Sequence, residues 1–153
     1  MVMSMPPIVD LIYQGYGEGH LMEILRSDDE EFADDFGQCY ITMAYPGVVK
    51  GWHYHKEQTD RFCIVAGMGK IALYDARDDS PTKGEVNEFF IGENNPCLLV
   101  IPPGVVHGMK AIGRKACYLL NIPDKVYDYD KPDEYRIDPW DNDIPYDWGL
   151  KEG

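Results

Sequence analysis

The sequence lacks the cysteine patterns that mark several common functional classes. Its four cysteines, Cys39, Cys63, Cys97 and Cys117, lie far apart and show no CxxC spacing. This argues against a zinc ribbon and against a dithiol redox site. We interpret them as reduced thiols, which suit a cytoplasmic protein.

Positive charge and long apolar segments are also scarce. The chain has 14 Lys and Arg residues against 27 Asp and Glu residues, a formal net charge of -13, and no segment in which basic residues cluster. Nucleic acid is therefore not an expected partner. No apolar run approaches the roughly 20 residues that span a bilayer, and residues 1–10 lack the order of a secretory signal. We expect a soluble protein that binds no membrane.

Long helical periods are missing as well, and short β-favouring runs take their place. Between Cys39 and Asn121, runs such as CYITMAY, RFCIVAG and CLLVIP alternate with turn signals such as GMG, GENNP and PPG. Many short strands at this spacing, without βαβ alternation, indicate a β-sandwich or a β-barrel.

The length of 153 residues predicts one domain, spanning residues 1–153. Within it we expect an N-terminal hairpin and a short helix in residues 1–38, a barrel core in 39–121 and a closing tail in 122–153. The tail is rich in Asp, Pro, Tyr and Trp, which excludes a long helix but favours packing on the barrel. The hairpin offers a free strand edge, so a homodimer is the expected assembly.

Three histidines and one aspartate are the candidate chemical centre. His53 and His55, two residues apart on a predicted strand, point to the same face, and the PPG turn can bring His107 beside them. Together with Asp60 they could form a metal site. The alternative interpretation is that these side chains line a barrel without a metal.

The spacing of these residues resembles the two cupin motifs. The first motif runs from Gly47 to Gly67 and contains His53 and His55, with Asp60 in place of the usual Glu. The second is present in part, as the P-x-G-x-x-H spacing that ends at His107.

A more detailed resemblance is to the dTDP-4-dehydrorhamnose 3,5-epimerase family. That family carries segments like RGLHYQ, DxRxxSPTxG and IPxGxxHGF, and the counterparts here are KGWHYH, DARDDSPTKG and IPPGVVHGM, all between Val49 and Gly108. The tail segment IDPWDNDIPYDW is similar to the family's closing segment. The resemblance implies an all-β cupin fold, a double-stranded β-helix or jelly-roll barrel with short peripheral helices and a C-terminal tail. It also implies an isomerase.

The resemblance further implies a reaction beside a ketone. His53 matches the base that removes a proton next to the C4 ketone of a nucleoside-diphosphate 4-keto-6-deoxy sugar, at C3, C5 or both. Asp138 matches the aspartate that orients this base, with Asp141 and Asp143 as alternatives.

Two further residues complete the implied machinery. Arg61 would stabilise the enolate oxygen, and Tyr118 would return a proton from the opposite face. The residues that would bind the substrate are Lys50, His55, Arg77, His107 and Glu23.

No cofactor is implied by this reaction. His55, however, replaces the family's Gln and restores the cupin histidine pair, so one divalent metal ion held by His53, His55, Asp60 and His107 is the alternative. Two other functions stay open at this point: a metal-dependent cupin isomerase or dioxygenase, and a sugar-binding cupin without catalytic activity.

Overall fold

The computed structural model describes residues 8–17, 19–32 and 35–150, which form mainly β-structure. The strands of these residues are β1 Ile8–Asp10, β2 Ile12–Tyr16, β3 Gly19–Glu23, β4 Tyr40–Ala44, β5 Val49–Tyr54, β6 Asp60–Ala66, β7 Met68–Asp75, β8 Val86–Gly92, β9 Cys97–Ile101, β10 Val105–Ile112, β11 Cys117–Asn121 and β12 Tyr135–Arg136. No helix in the described part of the chain is long and apolar enough to cross a membrane.

The strands are arranged in two five-stranded antiparallel sheets and a separate hairpin. The first sheet has the order β1-β9-β6-β11-β4 and the second has the order β12-β5-β10-β7-β8, and among the described strands β2 pairs only with β3. Strands that follow one another in sequence often lie in different sheets, as β4 and β5 do, and this is the connectivity of a barrel closed by two sheets. The predicted all-β class is confirmed.

The core lies between the two sheets and follows from the alternation of side chains along the strands. Ile71 and Leu73 of β7 point inward and pack against Leu99, Ile101 and Val105 from other strands. Strand β9 is buried on both faces because the N-terminal segment covers its outer side. A strand buried on both faces reads as a continuous apolar run, which explains the CLLVI sequence.

The C-terminal tail packs on the outer face of the second sheet. The Trp148 side chain is almost fully buried and lies 4.8 Å, ring to ring, from Trp52. Two lysines hold the adjoining backbone, since Lys70 Nζ donates to the Gly149 carbonyl at 2.9 Å and Lys110 Nζ donates to the Trp148 carbonyl at 2.8 Å. Strand β12, earlier in the tail, pairs with β5, so the tail is part of the wall that carries His53.

The short helix expected near the N-terminus is reduced to a 3₁₀ turn, Glu30–Phe32, among the described residues. The physical reason is the Arg61 side chain, which takes up the backbone carbonyls of Glu31, Phe32 and Asp35. Carbonyls engaged in this way are directed to the guanidinium instead of along a helix axis. Residues 33 and 34, which the expected helix also included, lie outside the described residues.

Candidate active site

An open cavity of about 1090 Å³ lies against both sheets and the tail. Strands β4, β6 and β11 of the first sheet and β5, β10 and β12 of the second sheet contribute side chains to its wall, and residues 125–134 of the tail form part of its rim. This volume is in the range of pockets that hold organic ligands. Five of the predicted site residues line the cavity: Lys50, His53, His55, Asp60 and His107.

His53 lies on β5 at the point where the tail joins the sheet. In the β5–β12 pairing Arg136 is opposite His53, so Glu134, two residues away, lies on the same face of the sheet. The His53 Nδ1 atom is 3.4 Å from Glu134 Oε1. Nδ1 is buried and makes no hydrogen bond within the described residues. The Glu134 carboxylate therefore faces the ring but is not hydrogen-bonded to it.

The His53 imidazole is neutral in this environment. Burial, and next the repulsion from His107, lower its pKa to about 4, although the carboxylate of Glu134 acts in the other direction. A neutral imidazole can accept a proton at neutral pH, which is the first requirement for a general base.

The other two histidines converge on one buried carboxylate. The His55 Nε2 and His107 Nε2 atoms lie 3.0 and 3.2 Å from Asp60 Oδ2. The second oxygen of Asp60 accepts hydrogen bonds from the side-chain amides of Gln58 and Asn121, at 2.7 and 2.9 Å. Every strong acceptor site of this carboxylate is thus used, as burial of a charge requires.

This cluster sets the charge of His55. Burial alone would lower the pKa of His55, but the hydrogen bond and charge of Asp60 outweigh it and raise that pKa to about 9. Burial likewise opposes the charge of Asp60, yet the hydrogen bonds from His107 and His55 hold its pKa well below the usual range. His55 is therefore an imidazolium at neutral pH, and it forms part of the cavity wall.

The same three residues also fit the requirements of a metal site. One ligand atom each from His55, Asp60 and His107 lies within 4.8 Å of the others. The Nδ1 atoms of the two rings face backbone carbonyls, that of Asp133 for His55 and that of Val105 for His107. Such contacts orient the Nε2 atoms of metal-binding histidines. The predicted metal set is corrected in one respect, because His53 is not part of this group.

The structure does not bring Arg61 into the cavity, so its predicted role at the enolate oxygen is corrected. Its neighbours Asp60 and Phe62 line the cavity, and the alternation of side chains along β6 turns Arg61 to the other face. There its guanidinium is buried among backbone carbonyls, with the Nη2 atom donating to Phe32 at 2.8 Å and Nη1 to Asp35 at 2.8 Å.

Tyr118 is also outside the cavity, which corrects its assignment as the acid. It lies on β11 between Cys117 and Leu119, both of which are buried, and its own side chain is exposed on the outer face. Among the described residues of this sheet, the tyrosine that lines the cavity is Tyr40, the first residue of β4. It accepts a hydrogen bond from Asn121 Nδ2 at 2.9 Å.

The predicted partner of His53, Asp138, has a different role. Its Oδ1 atom accepts the backbone N–H groups of Trp140 and Asp141, at 2.8 and 2.9 Å, and so caps an exposed turn. Neither it nor Asp141 or Asp143 lines the cavity of the described residues. The carboxylate that faces His53 is Glu134.

Two predicted substrate-binding residues are engaged elsewhere. Arg77 is paired with Asp75, the two closest atoms being 2.8 Å apart, and its stem packs against Gly104, where an added Cβ would come within 2.7 Å of it. It supports the turn that leads to His107 and does not face the cavity. Glu23 pairs with Arg26 at 3.3 Å on the N-terminal hairpin, also away from the cavity of the described chain.

The residues that the sequence did not reveal come mostly from the tail. Glu134 had no signal beyond its alternation with Arg136. No sequence signal pointed to Asp133, whose carboxylate accepts hydrogen bonds from three backbone N–H groups of the β5–β6 loop. Tyr40 could have been found, because Tyr40 and Thr42 alternate along a predicted strand and both line the cavity.

The His55–Asp60 pair predicts a pH dependence of stability. The pKa of His55 is about 9 in the folded protein against 6.5 as its ordinary value, so its contribution is complete below about pH 6.5 and is lost as the pH rises through 9. Urea unfolding in the presence of chelator should show a loss of about 3 kcal/mol over this range. His55→Gln should remove most of this slope; an unchanged slope in that variant would contradict the assignment.

Comparisons with known proteins agree with this fold. The family model of the polysaccharide biosynthesis C-terminal domain matches residues 17–135. A protein of Haloferax volcanii described as a probable low-salt glycan biosynthesis epimerase is 48% identical over 144 residues, which cover 93% of this chain and 92% of that protein.

Two further comparisons concern the family that the motifs resemble. A dTDP-4-dehydrorhamnose 3,5-epimerase of Pseudomonas aeruginosa is 31% identical over 110 residues, covering 69% of this chain and 58% of that protein. The crystal structure of a dTDP sugar isomerase from Desulfovibrio desulfuricans superposes with a TM-score of 0.87 at 29% identity, covering 94% of this chain and 90% of that one. The chain belongs to the polysaccharide biosynthesis C-terminal domain family, and it is a sugar epimerase with the cupin fold of the dTDP-4-dehydrorhamnose 3,5-epimerases.

Proposed function

We propose that this epimerase acts on a nucleoside-diphosphate 4-keto-6-deoxy sugar and inverts C3, C5 or both by proton abstraction beside the ketone. The observation that carries the proposal is the neutral imidazole of His53, on the wall of a large open cavity, together with the imidazolium of His55, which lies in the cluster of His55, Asp60 and His107 on the same wall. A base beside a fixed positive charge is the pairing that formation of an enolate requires.

His53 is the proposed base. The C4 ketone acidifies the neighbouring C–H bond, and the imidazole takes the proton while the electron pair of that bond moves toward the ketone oxygen. The ring becomes an imidazolium in this step. Glu134, 3.4 Å from Nδ1, can then accept a charge-assisted hydrogen bond from it, so we assign to Glu134 the orienting role that Asp138 was expected to have.

The enolate oxygen is stabilised by the His55–Asp60–His107 cluster in place of Arg61. The positive charge of His55 is fixed before the reaction, because Asp60 and the Asp133 carbonyl hold both of its ring nitrogens. A preorganised charge of this kind stabilises the enolate without reorganisation during the step.

Tyr40 is the proposed acid. It stands on the first sheet, whereas His53 stands on the second, so a sugar held between the walls meets the base and the acid on different faces. Burial, and next the charge of Asp60, raise the pKa of Tyr40, so it carries its proton at neutral pH. The hydroxyl gives this proton to the carbon on the face opposite to abstraction, and the configuration is inverted.

Three of the four lysines that line the cavity are the proposed contacts of the diphosphate, since the fourth, Lys56, lies over the Tyr135 ring with its Nζ 4.4 Å from the ring centroid. Lys50, Lys125 and Lys131 line the cavity, in a chain whose overall charge is -13. A local cluster is necessary because the overall charge repels an anion at long range. The similarity to a dTDP sugar isomerase supports a nucleotide sugar as the substrate.

Deuterium exchange tests the assignment of base and acid. In D₂O, His53→Ala should lower exchange at the carbon beside the ketone by about 10²- to 10⁴-fold, the usual contribution of a general base. Tyr40→Phe should still exchange this hydrogen but yield little inverted sugar, because abstraction survives without protonation of the other face. Tyr45→Phe, which changes an exposed tyrosine, is the control. Wild-type exchange in His53→Ala would remove His53 from this role.

A divalent metal ion at His55, Asp60 and His107 is a second candidate for stabilising the enolate. The contacts of both Nδ1 atoms with backbone carbonyls favour it. When bound, such an ion would polarise the ketone oxygen as a Lewis acid. The proton transfers assigned to His53 and Tyr40 are the same in either case.

Metal titration separates the two candidates. We expect added Zn²⁺ or Mn²⁺ to bind wild type and His53→Ala at one ion per chain and to bind His107→Ala much more weakly, because a ligand is lost. Deuterium exchange is then measured after chelation. If chelated enzyme keeps its full activity, the charge that stabilises the enolate is that of the His55 imidazolium. If activity is lost on chelation and restored by the metal, the stabilising charge is that of the ion.

We also propose that the protein is a homodimer of the cytoplasm. The β2–β3 hairpin pairs with no other described strand, and it exposes Ile12, Tyr13 and Leu21. Free strand edges with apolar side chains favour pairing with a second copy. The four cysteines, all free, support a reducing compartment.

Light scattering tests the dimer. The mass in solution should be twice the 17.5 kDa of the chain at micromolar concentration. Leu21→Asp places a charge on the apolar surface of the hairpin and should shift the mass toward that of one chain. A monomeric wild type would contradict the proposal.

A further inference from the structure

We propose that Asp133 is a positioning residue through which the C-terminal tail sets the geometry of the proposed base and of the charged cluster. The inference rests on the proposed function, because it concerns the same reaction. It is carried by the contacts of one residue with three parts of the site.

The first contact is between the Asp133 carboxylate and the loop that joins β5 to β6. Oδ1 accepts the N–H of Lys56 at 2.9 Å, and Oδ2 accepts the N–H groups of Glu57 and Gln58 at 2.9 and 3.0 Å. One side chain thus fixes the backbone of three successive residues. The side chain of Gln58 then donates to Asp60 at 2.7 Å, so the loop that Asp133 fixes is also a support of the buried carboxylate.

The second contact is made by the main chain of Asp133. Its carbonyl oxygen lies 2.5 Å from the Nδ1 atom of His55, whose Nε2 faces Asp60 at 3.0 Å. Both ring nitrogens are thereby held, and the rotation of the ring is fixed. A displacement of the tail would release one of the two.

The third contact acts through the next residue. Glu134 faces His53 Nδ1 at 3.4 Å, and Arg136 holds the same carboxylate oxygen at 3.2 Å. Because Asp133 anchors the segment immediately before β12, it sets where the Glu134 carboxylate stands. His53 of β5 and His55, the residue just after this strand, therefore depend on one attachment point of the tail.

A carboxylate is the side chain that this anchor requires. The loop presents only N–H donors, and an aspartate offers acceptors on both oxygens. In Asp133→Asn one oxygen becomes an NH₂ group that faces a donor, while the size of the side chain is kept. Asp133→Ala removes all three hydrogen bonds. Asp147 gives a matched control, since its Oδ1 caps the Gly149 N–H at 2.8 Å on an exposed turn of the same tail.

The experiment measures kcat and KM for deuterium exchange in wild type, Asp133→Asn, Asp133→Ala and Asp147→Asn. Displacement of catalytic groups by about 1 Å costs up to about 10²-fold in rate. We therefore expect kcat to fall at least about tenfold in Asp133→Ala and less in Asp133→Asn, with KM within about twofold of wild type. Asp147→Asn should keep the wild-type kcat.

A double-variant cycle shows whether Asp133 acts through Glu134. In a Glu134→Gln background, Asp133→Asn should reduce kcat much less than it does in wild type, because the group that it positions is already lost. Equal effects in the two backgrounds would overturn this route. Imidazole NMR of the substrate-free protein gives a readout without turnover: the His53 and His55 signals should shift in Asp133→Asn and stay in place in Asp147→Asn.

The outcomes separate this inference from the proposed function. If wild type shows no exchange with 4-keto nucleotide sugars, the proposed function fails, and the NMR comparison still tests the positioning. If wild type exchanges and a folded Asp133→Asn or Asp133→Ala keeps its kcat, the inference is overturned while the function stands. A loss confined to thermal stability, with unchanged kcat and imidazole signals, would also overturn it.

Discussion

The interior of this protein depends on the burial of one negative charge, that of Asp60. An isolated carboxylate in a protein interior is strongly unfavourable, and here it is stabilised by two imidazoles and two side-chain amides. The hydrogen-bond partners of Asp60 come from strands and loops of both sheets. The two sheets must therefore meet in one relative position if all of these hydrogen bonds are to form. The contacts that stabilise the Asp60 carboxylate thus also fix the His55 and His107 rings at the cavity.

The tail contributes to the site as much as the barrel does. It completes the second sheet with β12, brings Glu134 to His53, and closes the hydrogen bonds of the β5–β6 loop through Asp133. Its far end is fixed separately, by Trp148 and by the lysines that hold the backbone there. The cavity wall therefore combines strands of the barrel with a tail that is attached at two points.

Side-chain alternation explains which of the expected site residues reach the cavity. Asp60 and Phe62 face inward, so Arg61 cannot; Leu119 faces inward, so Tyr118 cannot. The motif alignment placed Arg61 and Tyr118 by their order along the chain, and a shift of one residue on a strand reverses the face. His53 and His55 were predicted correctly to face the cavity, because residues two apart on a strand point to the same face.

The sequence by itself determined the all-β class, the common face of His53 and His55, and the family, since strand periodicity and the SPTKG and PPGVVHG motifs are local properties of the chain. Only the tertiary structure decided that Glu134 and not Asp138 faces His53, that Tyr40 and not Tyr118 lines the cavity, and that Asp133 contacts the β5–β6 loop. These contacts join segments far apart in the chain. Their register is set by the pairing of β12 with β5 and by the packing of two sheets, and neither is expressed in the pattern of any single segment.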